Sequence, residues 1–246
     1  MSDTPPIDVI PVMPFGMVNA FLMTTGKGAV LIDAGLPGSE RRVEVTLRRR
    51  GMAWSDLRLV IITHGHIDHA GAAARIRELS GAPIVLHQDD ADYCRGKPPV
   101  LRPTGTFGRL FRKTGAIESP FPPFEADRLL IGDETMDLAS CGLSGHVLHT
   151  PGHTLGSVSI LLDDGTAFAS DLVASGILLG GLVLRNRPKR PPFEEDPRQV
   201  ANSLQRLLDL GATRFLIGHG GPLGVDQVRW HIGRLRRLPS WADRST

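Results

Sequence analysis

Thiol and phenol are scarce in this chain: its 246 residues include two cysteines and one tyrosine. Cys94 and Cys141 form no CxxC pair and no disulfide framework, and a reducing cytoplasm is the simplest compartment. Long apolar runs are missing as well. The most apolar stretch, residues 175–184, is too short and too rich in glycine to span a bilayer. Residues 1–11 are polar and contain proline, with neither the basic nor the apolar region of a signal peptide, so export is not expected. Neither charge is in excess: the net value is +2, without the concentrated basic charge of a nucleic-acid binder. Neither nucleic acid nor a membrane is therefore expected as a partner, and oligomeric state is left open. A hydrophobic content of 41% suffices for one substantial core, and a single domain over residues 1–246 is expected.

What the chain does have is histidine beside carboxylate. Thr63-His64-Gly65-His66-Ile67-Asp68-His69 holds four side chains able to bind a metal, directly after the apolar run Leu59-Val60-Ile61-Ile62. Imidazole suits zinc, iron and other transition metals, and a carboxylate adds a hard anionic ligand. The apolar run reads as a buried strand and residues 70–76 as the start of a helix, so the cluster sits in a strand-to-helix loop. Such a loop can turn His64 and His66 one way and Asp68 and His69 the other, as two neighbouring metals require. Three more candidates follow at strand ends: His153 in Pro151-Gly152-His153-Thr154-Leu155-Gly156-Ser157, Asp171 after Ala167-Phe168-Ala169-Ser170, and His219 in Gly218-His219-Gly220. The nearby glycines let backbone approach closely, as a crowded metal loop demands.

The ordered series HxHxDH, PGHTxGS, Asp and GHG resembles the metallo-β-lactamase superfamily, over most of the chain. The resemblance implies that His64, His66 and His153 bind one metal, that Asp68, His69 and His219 bind a second, and that Asp171 bridges both. It implies two divalent ions, zinc first, with iron or manganese as alternatives. The activity it implies is that of a hydrolase in which a hydroxide held between the metals attacks an ester, thioester or lactone carbonyl of a small molecule. Asp68 and Asp33 are the candidate catalytic residues. Asp33 ends a strand before Gly35, and the resemblance places it near the ligands, where its carboxylate would receive the second N–H of a ligating imidazole. Asn19 is a further candidate at the site edge.

The glyoxalase II and lactonase branch of the superfamily is the expected one. Only residues 220–246 follow His219, however, where a standard glyoxalase II carries a separate helical region for glutathione. The alternative reading is an oxidoreductase like the persulfide dioxygenases, with a single iron and part of the ligand set. A β-lactamase is a further alternative and would need export. A diiron redox scaffold would replace ligands such as His66 with acidic residues, and a non-enzymatic binder would lose ligands; all seven are present.

Strands are expected at 18–23, 29–32, 59–62, 83–86, 147–148, 158–162, 167–169 and 215–217, and helices at 39–50, 70–79, 197–210 and 225–238, with Ser39 as a cap. Hairpins and helices in each half suit two sheets face to face with helices outside, a four-layer αββα sandwich of the α/β class. The resemblance implies the same fold. Segments 96–123 and 185–197 break the pattern and are candidate lids. Phe107, Leu110 and Phe111 would form the apolar face of a short helix over the site. Arg109, Arg112, Lys113, Arg187 and Lys189 would favour an anionic substrate. His87, His146 and His149 are read as structural or supporting, and His231 as exposed on a basic helix.

Overall fold

The computed structural model describes residues 5–177, 180 and 183–239. One sheet is built in spatial order from β1 (Ile7–Met13), β2 (Val18–Thr25), β3 (Gly28–Ile32), β4 (Leu57–Ile61), β5 (Ile84–His87) and β6 (Arg128–Leu130). β1 to β3 pair antiparallel and β3 to β6 parallel. Parallel neighbours need long crossovers. Helix α1 (Glu40–Arg49) crosses from β3 to β4, and the short α2 (Ile67–Ala70) with α3 (Ala73–Ser80) crosses from β4 to β5. The connection to β6 contains α4 (Ala91–Cys94) and α5 (Thr106–Arg112).

The second half supplies β7 (Met136–Asp137), β8 (Gly145–His149), β9 (Val158–Leu162), β10 (Thr166–Ser170), a small β11–β12 pair (Ala174–Ser175 with Pro188–Lys189), helix α6 (Pro197–Asp209), β13 (Arg214–Ile217), β14 (Leu223–Gly224) and helix α7 (Val225–Leu235). Its sheet runs β14-β13-β10-β9-β8-β7, with β10 and β13 parallel and joined through α6.

Three apolar clusters define four layers. Phe21, Met23, Val30, Ile32, Leu59 and Ile61 face Val147, Ile160, Phe168 and Leu216 between the sheets. The alternate residues of the same strands, Leu22, Leu31 and Val60, lie with Val43, Leu47 and Ile76 of α1 and α3. On the far side Ala167, Phe215 and Ile217 lie with Val200, Leu204, Val228 and Ile232 of α6 and α7. Strands covered on both faces are apolar at nearly every position, which is why they read as continuous runs.

Strand β1 was not expected. Prolines mark the N-terminal segment as a loop, but β1 is an edge strand, where Pro11 needs to donate no ladder bond, and its register shifts between Pro11 and Met13. Ser39 does precede α1, yet its side chain makes no capping bond. Parts of two other segments, residues 1–4 of the N-terminus and 178–179 and 181–182 of the apolar stretch 175–184, lie outside the described residues. Among the described residues no helix is long and apolar enough to cross a membrane.

Candidate metal centre

Parallel strands end on the same side of a sheet, and the candidate ligands sit at those ends. Asp33 follows β3, His64 to His69 follow β4, Asp171 follows β10 and His219 follows β13, while His153 lies in the β8–β9 connection. All seven expected ligands come together. Nε2 of His153 lies 3.1 Å from Nε2 of His64 and 3.1 Å from Nδ1 of His66. Nε2 of His219 lies 3.4 Å from Oδ2 of Asp68 and 2.9 Å from Oδ2 of Asp171. Nε2 of His69 is 3.5 Å from the other Asp171 oxygen and 3.8 Å from Asp68. Asp171 Oδ2 is also 3.7 Å from His153 Nε2, so this one carboxylate touches both groups.

Two divalent cations fit these residues. The three imidazole nitrogens of His64, His66 and His153 converge to 3.1 Å, with an Asp171 oxygen 3.7 Å from His153 Nε2, a crowding that a shared cation relieves. Burial, reinforced for all three by neighbouring imidazoles, holds His66 and His153 down to about 3 and His64 well below its ordinary value, so these rings are neutral with lone pairs available. The other group is anionic in character. Burial opposes charge on His69, yet Asp171, Asp33 and Asp68 raise it to about 10. Burial likewise opposes charge on Asp171, but His219 and His69 keep it well below the usual carboxylate range. A proton on His69 here occupies the place of a stronger cation. Buried Nε2 of His69, Oδ1 of Asp68 and Oδ1 of Asp171 have no hydrogen-bond partner among the described residues, as groups reserved for a metal would not.

Behind the ligands the chain fixes ring orientation. Nδ1 of His69 donates to Oδ2 of Asp33 at 2.8 Å, and Nδ1 of His219 donates to the carbonyl of Met17. Each bond leaves Nε2 facing the centre. Asp33 also accepts from the amide and hydroxyl of Thr63, whose Oγ1 lies 2.7 Å from Ser170 Oγ. Asp33 therefore acts through His69 and does not itself face the cavity. Asn19 donates to the carbonyls of Ile217 and Gly220, clamping the His219 loop. At Gly218 a Cβ would stand 2.3 Å from Asp171 Oδ1 and 2.7 Å from His69 Cε1, so only glycine fits.

The sequence reading missed Asp90. Its carboxylate accepts from the amides of Gly65 and Gly156 at 2.8 and 2.9 Å and from the hydroxyl of Thr154 at 2.8 Å. It thus ties the His64–His66 loop to the His153 loop. Burial pushes its pKa up to about 6, against these three donors. The available signal was positional: like Asp33, it is an acidic residue just past the end of a parallel strand.

The two irregular segments do wall the site. They are joined by Thr104 N to Pro192 O at 2.9 Å and Glu194 N to Arg102 O at 3.0 Å. A cavity of about 250 Å³ over the centre is lined by Met13, Leu36, Ile67, Phe111, Ile117 and Phe193 besides the ligands. The helix expected around Phe107 forms, but its face is split: Phe111 lines this cavity, Phe107 a separate one, and Leu110 is 65% exposed. Arg109, Arg112, Lys113 and Arg187 are exposed and none lines the cavity over the centre. His231 is buried, not exposed: it lies on the inner face of α7, which the basic residues around it disguised. His146 is exposed on β8, whereas His87 and His149 stack at 3.9 Å away from the ligand groups.

Known proteins resemble this chain in sequence and fold. The chain is 30% identical over 225 residues to the probable metallo-hydrolase YflN of Bacillus subtilis strain 168, covering 86% of this chain and 83% of that protein. It is 30% identical over 178 residues to the probable metallo-hydrolase YqgX of the same organism, covering 69% and 72%. Among solved structures, the metallo-beta-lactamase family protein TTHA1429 from Thermus thermophilus aligns with a TM-score of 0.65 at 25% identity, over 94% of this chain and 78% of that one. The BLEG-1 B3 metallo-beta-lactamase has the same fold, with a TM-score of 0.67 at 22% identity over 94% and 99% of the two chains. Residues 13–219, from the end of β1 to the last histidine of the centre, match the family described as the metallo-beta-lactamase superfamily, and this chain belongs to it.

Proposed function

We propose that this chain is a metal-dependent hydrolase of small esters, thioesters or lactones with an apolar acyl group, working with two divalent cations, zinc first. The observation that carries the reading is Asp171, whose two oxygens reach His153 on one side and His69 and His219 on the other. Bound there, the cations supply Lewis acidity and bring the pKa of water down to about 7. The chain does the rest. Asp33 holds the ring of His69, and the Met17 carbonyl that of His219, so that both lone pairs point inward. Asp68 is the most open of the ligand side chains, at 15% exposure, and lines the cavity. Its carboxylate, which reaches the cavity, would take a proton from water and return it to the leaving group.

Phe111, Ile117, Phe193 and Leu36 exclude water and receive the acyl group. Apart from the ligands, the cavity wall offers no charged or hydrogen-bonding side chain among the described residues, which favours thioesters and lactones of the glyoxalase II and lactonase kind over a polar β-lactam. Cys94 and Cys141 are free, which supports a reducing, cytoplasmic setting. The test is elemental analysis followed by a panel of thioester, lactone, phosphodiester and β-lactam substrates. About two metals per chain and turnover of apolar acyl esters are expected. A single tightly held iron that takes up no partner metal would move the chain to the dioxygenase reading.

A further inference from the structure

A larger cavity, of about 470 Å³, opens between the start of α5, β12 and α7. It adjoins the metal-lined cavity without sharing its chemistry: Pro192 lines both, and α5 turns Phe107 into one and Phe111 into the other. Its charged lining is cationic, from Lys189, Arg190 and Arg234, and His231 lines it from α7.

His231 is the informative group. It is 1% exposed, and neither ring nitrogen has a hydrogen-bond partner among the described residues. A neutral imidazole always carries one N–H, and a buried donor left unmet is costly enough that native structures rarely keep one without a use. Burial first, then the nearby Arg234 and Arg190, keep this ring uncharged. The potential at the ring is therefore positive, and of its two unmet nitrogens one is a donor. The complement of both is an anionic acceptor.

The cations support this. Arg234 lies over the ring of Trp230 at 4.8 Å, and no carboxylate pairs with it among the described residues. Arg190 gives Nε and Nη2 to Oε1 of Glu194, both at 2.7 Å, which orients the guanidinium and offsets its charge. Arg234 remains as positive excess beside that pair. The Thr106 hydroxyl oxygen accepts from Arg109 at 3.1 Å, leaving its hydrogen to donate.

We propose that this cavity binds a small oxyanion, the phosphate or carboxylate group of a metabolite, held by the His231 N–H and Arg234, with Lys189 close by. The group is either the far end of the substrate hydrolysed next door or a separate effector. The site itself does not depend on the hydrolase reading.

Inorganic phosphate and phenylphosphonate are the probes, titrated into the metal-loaded protein while the ring nitrogens of His231 are followed by NMR. This signal is local, so phosphate reaching the metals does not mimic it. Saturable movement in the millimolar range is expected. Arg234→Gln, an exposed change that leaves the fold intact, should weaken it about tenfold through loss of one charge-assisted hydrogen bond. A His153→Ala protein should titrate as wild type does, whatever becomes of its hydrolysis. Unmoved His231 signals, or identical titration of wild type and Arg234→Gln, would overturn the proposal. Kinetics then separate the two sources. If Arg234→Gln raises KM for a carboxylate-bearing thioester but not for a neutral one, the oxyanion is the substrate's own; if both KM values hold while His231 still titrates, it is an effector.

Discussion

Oδ2 of Asp33 accepts the Nδ1 proton of His69 at 2.8 Å, with both side chains buried, Asp33 just past β3 and His69 in α2 beyond the neighbouring β4. The pair fixes one tautomer, and with it the direction of the lone pair on Nε2. Asp33→Asn keeps the shape and removes the charge. Metal affinity should fall about 10–100-fold, with secondary structure unchanged. A chelator titration beside circular dichroism measures both. Unchanged affinity with a lowered melting temperature would mean that Asp33 serves the Thr63 turn alone.

Asp171→Ala should be the most damaging ligand change. It removes the anion shared between the two groups and would leave the two proposed cations facing each other with less to hold them. Metal content should drop below the wild-type value and activity by at least about 10³-fold, a loss comparable to removing a principal electrostatic stabiliser. His87→Ala, at a stacked pair away from the ligands, should leave metal content unchanged. Equal metal content in both variants would break the ligand assignment.

Asp90→Asn tests the tie between the two ligand loops. An amide nitrogen cannot accept, so at least one of the donors Gly65 N, Thr154 Oγ1 and Gly156 N must lose its partner. A loss of about 1–3 kcal/mol in stability is expected, with weaker binding at the three-histidine group and little change at His69 and His219. Metal titration with cobalt, read by its visible spectrum, would report the two groups separately. Equal weakening at both would make Asp90 a general stability residue.

His231 predicts a pH dependence of stability. Its folded-state pKa is lowered to about 3, below the unfolded value of about 6.5. Between those values the unfolded chain binds a proton that the folded chain refuses, so unfolding is favoured as the pH falls. The contribution is present in full above about pH 6.5 and is lost toward pH 3, at no more than about 1.4 kcal/mol per pH unit. His231→Gln, which cannot titrate, should narrow its stability gap to wild type as the solution is acidified in phosphate-free buffer. Urea midpoints at several pH values give the answer. A gap independent of pH would show that the ring titrates alike in both states.

The ligands and the strands before them were legible because chemistry and period coincide there: an apolar run stops, and His64, Asp171 or His219 follows within a few residues. Both sheets could be read for the same reason. Short edge elements could not. β6 and β7 have three and two residues, and β1 contains a proline, so none shows a period. The lining of the cavities was hidden for another reason. A seven-residue helix such as α5 sends neighbouring aromatics in different directions, and only tertiary packing decides that Phe111 meets the centre while Leu110 meets water. His231 shows the same limit. Basic neighbours along the chain suggest solvent, but α7 has a buried stripe and the histidine lies on it.

The centre takes His64, His66, Asp68 and His69 from the first sheet's loops, and His153, Asp171 and His219 from the second's. A bound cation therefore acts as a rivet across the seam between the two halves. Whatever binds the folded chain and not the unfolded one stabilises it by an amount that grows with the logarithm of its concentration relative to its dissociation constant. Here that stabilisation is spent on keeping one half from sliding on the other. Chelators should accordingly behave as mild denaturants of the whole molecule. A cavity cut in the seam at Phe168, where its ring meets Phe21 at 5.2 Å, should register first as a leak of metal and only later as a loss of structure.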